Sequence, residues 1–66
     1  MNIEVGNLYE KNGYTIVIDI IRDGYIFVRK WKAKIGDVGT IDNFCGAFKM
    51  RYDLAVKDLA DCKMDN

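Results

Sequence analysis

The sequence predicts a small, mainly β domain that ends in a short helix. Two hairpin signals, Asn12-Gly13 and Asp23-Gly24, fall among β-branched and aromatic segments, and helical spacing of apolar residues appears only late in the chain. With 66 residues there is room for one domain and one core. Half the residues are apolar, enough to build that core and to exclude intrinsic disorder.

Asn-Gly and Asp-Gly supply the positive φ angles that two-residue hairpin turns require. The segments they join, Tyr14 to Ile21 and Tyr25 to Trp31, have the composition that strands prefer. A three-stranded antiparallel meander from about residue 7 to 32 follows. Ala33 to Gly39 reads as a loop. Thr40 is placed to cap a short helical turn through Ile41, Phe44, Cys45 and Phe48, with Gly46 limiting its length. Phe48 to Tyr52 alternates apolar with basic residues and predicts another strand. Asp53 predicts an N-cap for an appended helix over 53–62, whose stripe is Ala55, Val56, Leu59 and Cys62, with Lys57, Asp58 and Asp61 off it. Lys63 to Asn66 reads as a frayed end.

A meander, a Gly-containing loop, a helical turn and a further strand follow one another as in small SH3-like barrels. The opening, Val5-Gly6, Tyr9, Asn12-Gly13 and Ile16-Val17, resembles that of short SH3-like proteins of bacteriophages and prophages, as do Phe27-Val28-Arg29 and Phe44-Cys45-Gly46-Ala47-Phe48. The resemblance covers about residues 5 to 52; the C-terminal helix departs from it. It implies an SH3-like antiparallel β-barrel and a phage accessory protein that binds, inhibits or recruits a host protein. It carries no functional residue over.

The chain has no His, Ser, Pro or Gln, which removes Ser-based triads and imidazole general bases. Cys45 and Cys62 lack the spacing of a zinc clip, and Asp37 and Asp42 lack the spacing of a calcium loop. The expectation is therefore a non-enzymatic protein with no metal and no cofactor. Met1 to Val5 has no basic start and no apolar stretch of signal length follows it, and apolar runs are short, that of Ile16 to Ile18 ending at Asp19. A cytoplasmic protein with no membrane span and two free packing thiols is expected.

Ten basic and ten acidic residues cancel overall, yet residues 22–34 carry a net charge of +4. Arg22, Arg29, Lys30, Lys32 and Lys34 are interleaved with Tyr25, Phe27 and Trp31, a pattern suited to phosphate neutralisation and base stacking over 25–34. Arg29, Lys30, Lys32 and Lys34 are thus candidate nucleic-acid contacts; the competing reading is a solvated strand with lysines blunting a sheet edge. Gly36 and Gly39 match the spacing of a KH-type loop, but a strand precedes them and Asp37 sits where phosphate would.

The register of the Asp23-Gly24 hairpin decides which side chains share a face. A two-residue loop groups Ile16, Ile18, Ile20, Phe27 and Trp31, leaving Val17, Ile21, Ile26 and Val28 on the other face. A three-residue loop puts Ile16, Ile18, Ile20, Ile26 and Val28 in the core and Val17, Ile21, Tyr25, Phe27 and Trp31 outside. Either way one core cannot hide both sets, so the second face meets the C-terminal helix, a second copy of the chain, or a partner protein. Val17, Ile21, Tyr25, Phe27 and Trp31 are the candidate partner-binding residues.

Overall fold

The computed structural model describes residues 2–66. Strands β1 (Leu8–Lys11), β2 (Tyr14–Arg22) and β3 (Tyr25–Trp31) form the expected meander, followed by β4 (Phe44–Arg51), helix α1 (Tyr52–Leu59) and β5 (Lys63–Asp65). They make one antiparallel sheet in the order β4-β3-β2-β1-β5. β4 and β5 lie at opposite edges, so the sheet is open and does not close into a barrel.

Both tight turns use positive φ at each loop position: 56° and 83° at Asn12 and Gly13, 53° and 80° at Asp23 and Gly24. That is the twist antiparallel neighbours need. The Asp23-Gly24 loop therefore has two residues, and Arg22 pairs with Tyr25. Ile21 pairs with Ile26 and Ile20 with Phe27, but Ile18 pairs with Val28. The β2–β3 register thus shifts between Ile18 and Ile20, with Asp19 as the extra residue. This bulge reverses the facing of β2 beyond it. Neither simple register therefore describes the sheet: Ile18, Ile26 and Val28 share the core face, as a three-residue loop would give, but Ile20 moves outside and Ile21 aligns with Ile26.

The core lies between the sheet and α1. Ile3, Tyr9, Ile18, Ile26, Val28, Ala55 and Leu59 form it, and Ile16, Met50, Tyr52, Val56 and Cys62 pack around it. The stripe of the helix is therefore the one its spacing predicts. Its bounds differ, since α1 starts at Tyr52 and ends at Leu59, and Asp53 is in the first turn rather than at the cap. Tyr52 anchors it: its N–H donates to Gly24 O at 2.8 Å, and its hydroxyl accepts from the Ile3 N–H at 3.3 Å.

Two other expectations are corrected. The helical turn is confined to a 3-10 turn at Ile41–Asn43, preceded by another at Ile35–Asp37; Phe44, Cys45 and Phe48 are strand residues. In the extended conformation the backbone of this segment pairs with β3 along the ladder, and a one-turn helix with Gly46 inside it offers fewer hydrogen bonds at a higher conformational cost. The C-terminal end is not frayed, because Leu8, Tyr9 and Glu10 pair with Asp65, Met64 and Lys63.

Phe27 and Val28 illustrate the two faces, at 37% and 3% exposure. Val28→Glu should unfold the domain by burying an unpaired carboxylate, whereas Phe27→Glu should stay within ~1 kcal/mol of the parent in thermal melts. Ala55, with no exposed surface, should tolerate no larger side chain: Ala55→Leu should cost ~1–3 kcal/mol by overpacking.

Candidate binding face

Helix α1 covers one face of the sheet. At one end of the opposite, outer face the segment 33–43 lies over the strands, which accounts for the burial of Thr15 and Trp31. Thr15 Oγ1 donates to Ala33 O at 2.7 Å, the Lys32 N–H to Asn43 O at 2.8 Å, and the Ile35 N–H to Glu10 Oε1 at 2.9 Å. Trp31 meets Phe44 edge-on at 5.3 Å between ring centroids. Among the described residues none covers the end nearer the Asp23-Gly24 turn in this way. Cross-strand pairing there aligns Ile20, Phe27 and Lys49, then Arg22, Tyr25 and Arg51. Ile20 is 51% exposed and Tyr25 37%.

Cations surround these apolar groups and are held in place. Asp19 accepts both prongs of the Arg29 guanidinium, at 2.7 and 2.8 Å. The bulge thus supplies the carboxylate that orients this arginine, whose own pKa it raises further. Arg29 also lies 5.2 Å from the Trp31 ring centroid, and Lys49 Nζ lies 4.7 Å from that of Tyr25. Arg51 donates to Asp53 at 2.9 Å.

Of the residues expected to bind a partner, Val17, Tyr25, Phe27 and Trp31 belong to the outer face and Ile21 does not. Trp31 is buried there by the 33–43 segment and Phe44, so its ring is not offered to a partner. Ile20 takes the place expected of Ile21, a consequence of the bulge. The four expected nucleic-acid contacts do not form one track. Arg29 is on the outer face; Lys30, one residue on, is on the helix side with its Nζ 4.7 Å from the Tyr14 ring centroid; Lys32 and Lys34 lie beyond the strand. Lys49 and Arg51 lie within the strand that the alternation of Phe48 to Tyr52 predicts, but only its pairing with β3 sets them beside Phe27 and Tyr25, and that pairing has no local signal in the sequence.

Both cysteines are free. Cys45 is exposed, which corrects its reading as a packing thiol. Cys62 packs against the core, and burial pushes its thiol above the usual range. At the helix end, Lys11 bonds Asp61 at 2.7 Å, raising the ammonium pKa and lowering that of the carboxyl. No group of three or more His, Cys, Asp or Glu that could hold a metal ion occurs among the described residues, and no helix among them is long and apolar enough to cross a membrane.

The fold and this face define the class: a small antiparallel β-sheet domain backed by one helix, with an uncovered apolar and basic outer surface. Comparisons with protein-family models, curated proteins and solved structures find no match.

The two thiols should separate kinetically. With a thiol-specific reagent at neutral pH, Cys45 should react at once, while Cys62, carrying less thiolate because its pKa is raised, should lag until denaturant is added. Equal rates in the folded protein would contradict this packing.

Proposed function

We propose that this chain is a small non-enzymatic binding module that captures a partner protein on its outer sheet face. The observation that carries this reading is the exposed set Ile20, Tyr25 and Phe27, contiguous by cross-strand pairing and left uncovered by both α1 and the 33–43 segment. Aromatic and aliphatic anchors with an arginine beside them are the groups that dominate protein interfaces. Arg29 is already oriented by Asp19, which lowers the ordering cost of using it.

The fold side of the proposal is an SH3-like domain whose barrel is left open. Its support is the order of elements: a three-stranded meander, a loop with 3-10 turns and a further strand. The motifs of residues 5 to 52 extend this to a phage-type accessory protein acting in the host cytoplasm. The non-enzymatic reading rests on the absence of His and Ser from the sequence.

A second reading is favoured by one arrangement: Tyr25 and Phe27 stand among Arg22, Arg29, Lys49 and Arg51, so the same face suits a single-stranded nucleic acid. The two readings differ in salt response. Phosphate binding should weaken steeply and log-linearly with salt, and Lys49→Ala should flatten that slope by about one.

Capture from host lysate, with and without nuclease, tests both. The expected result is a protein retained after nuclease treatment and released by Ile20→Glu or Phe27→Glu, each weakening binding by at least ~30-fold while the melt stays cooperative. Retention unaffected by either variant would place the interface elsewhere. Loss of all capture on nuclease treatment would favour the second reading.

A further inference from the structure

We infer that the free edge of β4 pairs with β4 of a second copy, in antiparallel register about Phe48, joining two sheets into one. This goes beyond the outer-face reading and does not rest on it.

The sheet has two edges of very different character. β5 is three residues long and two of them are charged; β4 is eight residues long, from Phe44 to Arg51. The direction of the free backbone groups follows from the bonded ones. Tyr52 N–H donates to Gly24 O, directly opposite, and alternation along the register turns Met50, Phe48 and Gly46 toward β3. The amide and carbonyl groups of Ala47, Lys49 and Arg51 therefore point off the edge. An unpaired row of this kind is a template for an added strand.

Edge lysines usually guard against such pairing, but these cations are drawn back. Lys49 lies over the Tyr25 ring and Arg51 is held by Asp53. Phe48, 48% exposed, lies beside the edge on the helix side, its ring within 3.7 Å of where a Cβ on Gly46 would stand. Beside it runs an open groove of about 360 Å³ lined by Ile16, Val28, Met50 and Leu59 among others.

Self-pairing must match outward-bonding residues with outward-bonding residues, which leaves few registers. Centring on Lys49 would set two ammonium groups face to face, a destabilising pair. Centring on Phe48 sets Phe48 against its own copy, Ala47 against Lys49, Gly46 against Met50 and Cys45 against Arg51, with no like charges opposed. The aromatic pair then occupies a non-hydrogen-bonded site, where side chains approach most closely, at the mouth of both grooves. A formal net charge of zero adds no overall repulsion between copies. The two-fold axis runs perpendicular to the sheet, so both outer faces lie on the same side.

Sedimentation equilibrium over a wide concentration range tests the proposal. The expected result is a reversible dimer of twice the 7.6 kDa chain mass. Ala47→Pro, which removes an outward N–H, and Phe48→Lys, which opposes two ammonium groups at the axis, should each raise the dissociation constant at least ~10-fold. Both positions are exposed, and melts check each fold; should the proline variant not fold, Phe48→Lys carries the test. Phe27→Glu should leave the dimer intact. With Cys45 and Cys62 replaced by Ala, oxidation of Phe48→Cys should give a disulfide dimer and Lys49→Cys should not, because only the former brings the Cα atoms within reach. A wild-type chain monomeric at every concentration, including one that instead accepts an added extended peptide along β4, overturns the inference. So does a dimer that Phe48→Lys leaves unchanged, or cross-linking through Lys49→Cys but not Phe48→Cys.

Discussion

On the β2 and β3 strands, Val28 stands opposite Ile18, yet one residue nearer the hairpin Phe27 stands opposite Ile20, and Asp19 is the residue left over. The type of the turn and the placement of the core would otherwise be in conflict. A two-residue Asp-Gly turn forces Arg22 against Tyr25, and carried unbroken along the ladder that register would put Ile18 and Val28 on opposite faces. The bulge absorbs one residue and lets both conditions hold. Ile18, Ile26 and Val28 then form the floor on which Ala55 and Leu59 rest. Asp19, released from the pairing, turns to the outer face and clamps Arg29. Core and outer surface thus share one local irregularity.

The helix covers what its length permits. Eight residues present about two turns of apolar stripe, sufficient for Ala55 and Leu59 to close over the central strands but not to shield both ends of the sheet. Ile3 completes the core from the N-terminal side, and Tyr52 ties that segment to the helix start and the helix start to the Asp23-Gly24 turn. On the outer face a loop substitutes for a second helix. Its polar backbone is satisfied by Thr15, Glu10 and Lys32, and it shelters Trp31. Among the described residues no further element lies over Ile20, Tyr25 and Phe27, which stay partly exposed.

Much of this fold is legible in the sequence because it depends on neighbours along the chain. Asn12-Gly13 and Asp23-Gly24 specify their turns through backbone φ alone, and the Ala55, Val56, Leu59 and Cys62 stripe follows from helical spacing. What is not legible depends on residues far apart in sequence. The bulge is tied to Asp19 meeting Arg29 across a hairpin, and it exchanges the roles of Ile20 and Ile21 in the candidate site. β5 carries one apolar residue, Met64, and becomes a strand through β1. Phe44, Cys45 and Phe48 fit a helical period equally well, and the partner that selects a strand is β3. Burial of Trp31 beneath the 33–43 segment has no signature in its composition at all.

The two sheet edges reveal a further asymmetry with a physical origin. β1 is short, and β5 protects its outer side with charged residues, as solvent-facing edges commonly are. β4 follows a long loop and must return along the whole of β3 to deliver Tyr52 beside Gly24, so its length is fixed by where the helix has to begin. That requirement leaves an extended edge whose cations, Lys49 and Arg51, are engaged by Tyr25 and Asp53 on the same structure. The contacts that organise the outer face are therefore the ones that uncover the edge. In a fold this small, a side chain that orders one surface is withdrawn from guarding the next.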